Sequence, residues 1–83
     1  MPEVEVGKVS DFFHRPVVAG VDLTGPVKKG DHIHIKGHTT DIEQDISSMQ
    51  IHNADVEEAK AGESIGIKVA DRVRPGDLVY KVV

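Results

Sequence analysis

Hydrophobic and polar residues alternate along most of the chain with a period of two, which is typical of β-strands. The clearest example is residues 31–36. Ile33 and Ile35 lie on one side of this predicted strand. His32 and His34 lie on the other side. We therefore predict a strand with one face in the core and one polar face.

The same alternation, interrupted by glycine, proline, asparagine and aspartate turns, predicts six short strands. They cover residues 3–13, 17–23, 31–36, 41–53, 65–69 and 78–82. The hydrophobic positions change parity at Gly7 and at Ser47-Ser48, where we predict β-bulges. One helical turn is predicted near residues 55–60, since Asp55 is a suitable N-cap and Glu58 follows three residues later. Six such strands predict an all-β, antiparallel closed barrel, which leaves no exposed strand edge.

Length and composition limit the chain to a single domain over residues 1–83. Cysteine is absent, which excludes disulfides and thiolate chemistry and makes a cytoplasmic location the default expectation. No apolar run approaches the roughly 18 residues of a membrane span, so no membrane association is expected. The net charge of −4 argues against binding to free nucleic acid, which depends on basic side chains.

The order of the turn-and-strand blocks resembles domain 2 of translational GTPases, the β-barrel of elongation factor Tu and initiation factor two. The blocks are Val17-Val18-Ala19-Gly20, Gly25, 27–35, 46–51, 61–67 and 74–79. The chain resembles in particular the short stand-alone proteins called translation elongation factor-like, which consist of this barrel alone. Collagenase-like peptidases carry a similar barrel as an appended domain. The resemblance implies a six-stranded barrel of the translation-factor type and a role in translation or RNA modification.

Two departures limit what the resemblance implies. The chain has no Gly-x-x-x-x-Gly-Lys-Ser/Thr loop to hold nucleotide phosphates, so GTP hydrolysis is not implied. Val21 and Asp22 stand where the factors commonly place a basic residue after the strand-two glycine, so no RNA-contacting residue is transferred. The implied partner is a protein or a ribonucleoprotein, with the ribosome as one candidate.

The histidines of the third predicted strand form the sharpest local pattern for chemistry. His32 and His34, two residues apart on a strand, project on the same side and can share one zinc or nickel ion. His38 or Asp31 can supply a third ligand, and we predict a candidate metal set of His32, His34 and His38. The alternative is that these imidazoles occupy a solvated polar face, which alternation alone explains.

A candidate partner-binding surface lies at the end of the first strand. Phe12 and Phe13 are adjacent, so one ring faces the core and the other faces outward or covers an end of the barrel. The strand is then broken at His14-Arg15-Pro16. We predict partner binding by Phe13, His14 and Arg15, and by Lys36 on the polar face of the third strand.

Catalysis is not expected from this sequence. The carboxylates of Asp41, Glu43 and Asp45 are surrounded by polar residues rather than by an apolar cleft that separates their pKa values. No serine lies in a Gly-x-Ser-x-Gly turn, and a small barrel is filled by its own side chains. We therefore predict a non-catalytic binding module without a cofactor. The alternatives are an accessory barrel acting in trans on an enzyme such as a collagenase-like peptidase, and metal-responsive binding through His32 and His34.

Overall fold

A computed structural model describes residues 2–15 and 17–83. Met1 and Pro16 lie outside the described residues. Pro16 belongs to the predicted break after the first strand, so this part of the break lies outside them as well. The strands are Glu3–His14 (β1), Val17–Leu23 (β2), Val27–Lys28 (β3), His32–Lys36 (β4), Asp41–Asp45 (β5), Met49–Ile51 (β6), Ala54–Asp55 (β7), Glu58–Ala59 (β8), Ser64–Lys68 (β9) and Leu78–Val82 (β10). These residues contain no helix, and hence none long and apolar enough to cross a membrane. The all-β prediction is confirmed.

The strands form one large antiparallel sheet in the order β5-β4-β10-β1-β2-β9-β6-β7, and β3 pairs with β8 in a separate two-stranded ribbon. The long strand β1 connects two halves of the sheet, because it pairs with β10 along its first part and with β2 along its second. Its register shifts between Glu5 and Gly7 and again between Val9 and Asp11. The predicted bulge at Gly7 is therefore confirmed, and the two shifts bend β1 where it changes partners.

The predicted six-stranded closed barrel is wrong in its number of strands, because the large sheet has eight. The predicted strand over 41–53 is divided at 46–48 into β5 and β6, and β7 adds another strand. No ladder joins the outer strands β5 and β7 in the described part of the chain. Instead the Gln44 amide of β5 donates to the Lys68 carbonyl at 2.8 Å and accepts from the Ala70 N–H at 2.7 Å. A side chain, rather than strand pairing, joins β5 to the end of β9.

The helical turn predicted near residues 55–60 is also wrong. His52 and Asn53 both have positive φ, 51° and 64°, and Ile51 pairs with Ala54 across them. Two consecutive residues with positive φ make the tight turn that connects the strands of a β-hairpin. This turn joins β6 to β7, so the backbone is extended where the capping pattern predicts a helix.

One hydrophobic core lies inside the curved sheet. Its largest fully buried side chains include Ile33 and Ile35 of β4, which confirms the predicted apolar face of that strand. The other core residues are Val6, Val9, Ala19, Val21, Leu23, Val27, Ile46, Met49, Ala59, Ile65, Ile67, Val69, Val73 and Val79. Aliphatic side chains from both halves of the sheet fill this interior and leave the outer surface for interactions.

A buried turn fixes the start of β10. The carboxylate of Asp77 accepts the Arg74 N–H at 2.8 Å, and the Asp77 carbonyl accepts the Val9 N–H at 2.8 Å. Gly37, just after β4, lies against this carboxylate so closely that a Cβ atom would overlap it. Position 37 therefore requires glycine because the Asp77 carboxylate lies against its backbone, and not because the chain turns there.

Candidate functional site

The outer surface of β4 and β5 is densely charged because their antiparallel register sets opposite charges against each other. The facing pairs are His32 with Asp45, His34 with Glu43, and Lys36 with Asp41. Glu3 of β1 reaches the same surface across β10 and contacts His34. We call these side chains the charged face. All ion pairs found among the described residues lie on it.

His34 lies at the centre of the charged face, and its side chain is 12% exposed. Its Nδ1 is 2.7 Å from Oε2 of Glu3, and its Nε2 is hydrogen-bonded to Asp41. The carboxylates of Asp41 and Glu3 raise the pKa of His34. Two carboxylate acceptors are both satisfied only when each ring nitrogen carries a proton, so this arrangement favours the imidazolium form.

His32 makes a similar but more exposed pair of contacts. Its Nδ1 is 2.8 Å from Oδ1 of Asp45, and its Nε2 is 3.3 Å from Oε1 of Glu43. Hydrogen bonds to Asp45 and Glu43 raise the pKa of His32. Acids therefore raise the pKa of both imidazoles of β4: Asp45 and Glu43 act on His32, and Asp41 and Glu3 act on His34.

Lys36 completes the charged face. Its Nζ is 3.1 Å from Oε1 of Glu3 and 5.2 Å from the centre of the Tyr80 ring. The hydrogen bond to Glu3 raises the pKa of Lys36, and hydrogen bonds from His34 and Lys36 lower the pKa of Glu3. Glu3 therefore accepts from two side chains, one at each carboxylate oxygen.

The predicted metal ligands are only partly brought together. His32 and His34 share the charged face, whereas His38 is exposed in the loop after β4. Glu3 is absent from the sequence-based set. It reaches His34 because β10 pairs with both β1 and β4, a long-range register that local alternation does not reveal.

A second feature is an open groove of about 460 Å³ on the outer surface of β1, β2, β9 and β6. Its floor is a row of paired positions in which Gly20 lies opposite Gly66. Asp11 and Gln50 occupy the two ends of this row. Neither glycine has a side chain. A Cβ on Gly66 would have only Val18 within 4 Å, whereas one on Gly20 would lie 3.2 Å from the Cβ of Asp11, so the backbone is more open at Gly66. We call this feature the glycine groove.

The walls of the glycine groove combine an aromatic ring with polar groups. Phe13 is 52% exposed and lines it together with Arg15 and Val18. On the opposite wall the Ser64 hydroxyl donates to Asp22 at 2.7 Å. The side chains of the β6–β7 turn, His52 and Asn53, stand at one end.

The predicted partner-binding residues divide between three places. Phe13 and Arg15 line the glycine groove. His14 does not line the groove, and its ring packs edge-on against Phe12 with centroids 5.0 Å apart. Lys36 belongs to the charged face. The sequence prediction missed the groove itself, because the pairing of Gly20 with Gly66 depends on the register of β2 and β9.

The groove contains serine, histidine and aspartate side chains but not in a nucleophilic arrangement. The hydrogen bond of Ser64 is to Asp22, and within the described ranges no serine hydroxyl is bonded to an imidazole. A nucleophilic serine needs a base within hydrogen-bonding reach. Ser64 is therefore paired with an acid rather than with an imidazole.

The chain is similar in sequence to proteases. Over 79 residues, 94% of the chain, it is 44% identical to an uncharacterised protease of Methanocaldococcus jannaschii, and this stretch is 19% of that protein. It is 36% identical over 81 residues to a collagenase of Porphyromonas gingivalis, with 95% of the chain and 20% of the collagenase covered. The chain spans about a fifth of the length of these curated relatives. It is similar to one segment of collagenase-type proteases.

A solved structure supports the fold. The crystal structure of the C-terminal domain of a putative U32 peptidase from Geobacillus thermoleovorans superposes with a TM-score of 0.87 at 17% identity, covering 94% of this chain and 91% of that one. At this level of identity the likeness concerns the fold alone. No protein-family model matches the chain.

The resemblance to translation elongation factor-like proteins and to domain 2 of translational GTPases is wrong. The relatives are a protease and collagenases, and the structural neighbour is a peptidase domain. The blocks that suggested translation factors are turns such as Gly30-Asp31 joined to alternating strands. Any small, strongly curved antiparallel sheet needs such turns, so their order reports the fold rather than the family. A role in translation or RNA modification loses its basis.

Proposed function

We propose that the chain is a non-catalytic accessory domain that works together with the remaining part of a collagenase-like peptidase. The observation that carries this proposal is the extent of the similarity. It covers 94% of this chain but only 19% of the M. jannaschii protease. In such a relative, the other four fifths of the protein are available to carry the catalytic machinery and to contact this domain.

The glycine groove is the proposed docking surface for that peptidase body. Phe13 offers an exposed aromatic ring of the kind that contributes most to binding at protein interfaces. Gly20 and Gly66 let an apolar side chain of the partner reach the sheet beside the paired residues Phe13 and Val18. The charged face is less suited to docking an apolar group, because its side chains already bond to one another.

The experiment is a binding and competition assay with the M. jannaschii protease from which the matching segment has been deleted. We expect the 83-residue chain to bind the truncated protease and to compete with the protease's own excised segment, which is the positive control. Phe13→Ala should weaken binding about tenfold or more, as expected for a buried aromatic anchor. Glu57→Gln, at an exposed position outside the groove, is the matched control and should bind as the unchanged chain does.

Two results would overturn the proposal. One is that the excised segment binds the truncated protease while this chain neither binds nor competes. The other is hydrolysis of gelatin by the chain alone, since the proposal assigns catalysis to the peptidase body. Loss of binding in Glu57→Gln as well as in Phe13→Ala would move the docking surface away from the groove.

A further inference from the structure

Three potential metal ligands from three different strands converge on the charged face. Glu3 of β1, His34 of β4 and Glu43 of β5 each place a ligand atom within 4.8 Å of the other two. Glu3 and His34 are half-buried and Glu43 is exposed. The cluster is thus fixed by strand register on its inner side and open to solvent on its outer side.

Each of the three side chains is also held by a partner outside the cluster. Lys36 bonds Oε1 of Glu3, which leaves Oε2 facing His34. His32 contacts Oε1 of Glu43 at 3.3 Å.

The imidazole of His34 is oriented in the same way. One of its nitrogens faces Glu3, and the other is bonded to the carboxylate of Asp41. In metal sites, a ligating histidine almost always donates its second ring N–H to a carboxylate, a carbonyl or a water molecule. The cluster therefore has three donors and also the outer partners that orient ligands around an ion.

We propose that Glu3, His34 and Glu43 form a binding site for a divalent transition-metal ion, for which Zn²⁺ is the probe. Two carboxylates and one imidazole are ligands that zinc accepts, and three protein ligands leave its fourth position for water. Zinc would take the place of the proton between His34 and Glu3. The proposal does not depend on the proposed role beside a peptidase.

The present spacing needs only a small adjustment to admit an ion. Ligands about 2.1 Å from one zinc ion lie about 3.4 Å apart in a tetrahedral site. The 2.7 Å between Nδ1 of His34 and Oε2 of Glu3 would open slightly. Glu43, within 4.8 Å of both, would close in. These are rotamer adjustments on a fixed sheet rather than a change of fold.

The surrounding charge favours a cation. With neutral imidazoles, the charged face carries the carboxylates of Glu3, Asp41, Glu43 and Asp45 against the single ammonium of Lys36. Lys36 opposes the ion, but its contact with Glu3 is at the carboxylate oxygen turned away from His34. The remaining negative charge attracts a divalent ion.

This donor set differs from the set that the sequence predicts. His34 is common to both, but Glu3 and Glu43 replace His32 and His38. His32 becomes a positioning residue for Glu43, and His38 has no role. The two sets make opposite predictions for single substitutions, so one series of variants separates them.

The test is isothermal titration of the 83-residue chain with Zn²⁺ at neutral pH. We expect a single site with a dissociation constant of about 10 µM or tighter for three protein ligands. Glu3→Gln, Glu43→Gln and His34→Gln should each weaken binding at least about tenfold. The matched controls are His38→Gln and Glu57→Gln, which should bind zinc as the unchanged chain does. Thermal unfolding of each variant identifies any that fails to fold.

A spectroscopic readout keeps the proposal testable if a variant unfolds. In the unchanged chain, Zn²⁺ should shift the ring ¹⁵N resonances of His34 and leave those of His38 in place. The proposal is overturned by absence of zinc binding in the unchanged chain. It is equally overturned by binding that survives in both Glu3→Gln and Glu43→Gln, or by loss of binding in His38→Gln.

Discussion

The charged face and the glycine groove lie on the same sheet, but they use their side chains in opposite ways. On the charged face, His34 and Lys36 of β4 bond to acids of β5 and β1. In the glycine groove, Gly20 and Gly66 remove side chains from the floor, and Phe13 stands exposed at its edge. Polar groups that bond to one another help to fix the strands, and they include the ligands of the proposed metal site. A floor without side chains beside an exposed ring is the surface that we propose for the peptidase body.

The long strand β1 contributes residues to both regions. Its first part supplies Glu3 to the charged face, and its second part supplies Phe13 to the groove. The bulges between these parts turn the strand from one half of the sheet to the other. The two regions therefore share strand β1 but use different side chains of it.

The largest expected effect comes from the core beneath the charged face. Ile35→Ala removes a fully buried side chain and should lower the free energy of unfolding by about 2–5 kcal/mol. Urea denaturation measures this change. Val4→Ala is the control, because Val4 is half exposed and its truncation should change stability by no more than about 0.5 kcal/mol. Equal losses in the two variants would mean that the core does not lie where the structure puts it.

A smaller effect is expected from filling the contact between Gly37 and Asp77. In Gly37→Ala the new methyl group overlaps a buried carboxylate, which should cost about 1–3 kcal/mol. Gly66→Ala is the matched control in the groove, since its Cβ would lie 3.4 Å from Cγ1 of Val18 and largely in open space. Denaturation of both variants tests the difference. A Gly66→Ala loss as large as that of Gly37→Ala would show that the groove floor is packed rather than open.

Stability should depend on pH through the charged face. The raised pKa values of His32 and His34 mean that the folded state holds these protons more tightly. Their contribution is complete below the ordinary histidine value of 6.5 and is lost as pH rises through the raised values. The lowered pKa of Glu3 has the opposite effect on the pH dependence of stability. Its contribution is complete above 4.5 and is lost as pH falls through the lowered value.

Thermal unfolding in the presence of a chelator should therefore show a plateau between pH 4.5 and pH 6.5, with a decline above it as the imidazoles lose their protons. His34→Gln should flatten the decline on the alkaline side, with a loss of about 1 kcal/mol at pH 6 from its hydrogen bonds. Phe13→Ala should keep the full pH dependence, because Phe13 belongs to the other region. An alkaline decline that His34→Gln leaves unchanged would contradict this assignment.

The smallest expected change in stability is that of Phe13→Ala. Its ring is 52% exposed, so truncation should alter the free energy of unfolding by about 0.5 kcal/mol or less. Chemical denaturation of this variant beside Phe12→Ala checks the point, since Phe12 packs against the core and should cost clearly more. Similar losses in the two variants would show that Phe13 supports the fold rather than a partner.

Local sequence rules were sufficient for the strands whose pattern is regular. Alternation located β4, with Ile33 and Ile35 buried, and the change of parity at Gly7 located a bulge. They failed at His52 and Asn53, because neither residue is the glycine that usually signals a turn with positive φ. The missed turn produced the false helix and hid β7, and the break at 46–48 that separates β5 from β6 lowered the strand count further.

The candidate sites depended on information that local rules do not contain. Glu3 meets His34, and Gly20 meets Gly66, through pairings between distant strands. A period-two pattern states which side of its own strand a residue occupies but not which residue lies opposite. The sequence therefore named His34 on the charged face and Phe13 and Arg15 at the groove, and the residues opposite them required the register.

We propose that the groove, and not the charged face, contacts the peptidase body. The most direct measurement is hydrogen exchange of the 83-residue chain with and without the segment-deleted M. jannaschii protease. We predict slower exchange at the end of β1, in β2 and in β9 around Gly20 and Gly66, with β4 and β5 unchanged. Protection confined to β4 and β5, or unchanged exchange throughout at saturating protease, would contradict the claim.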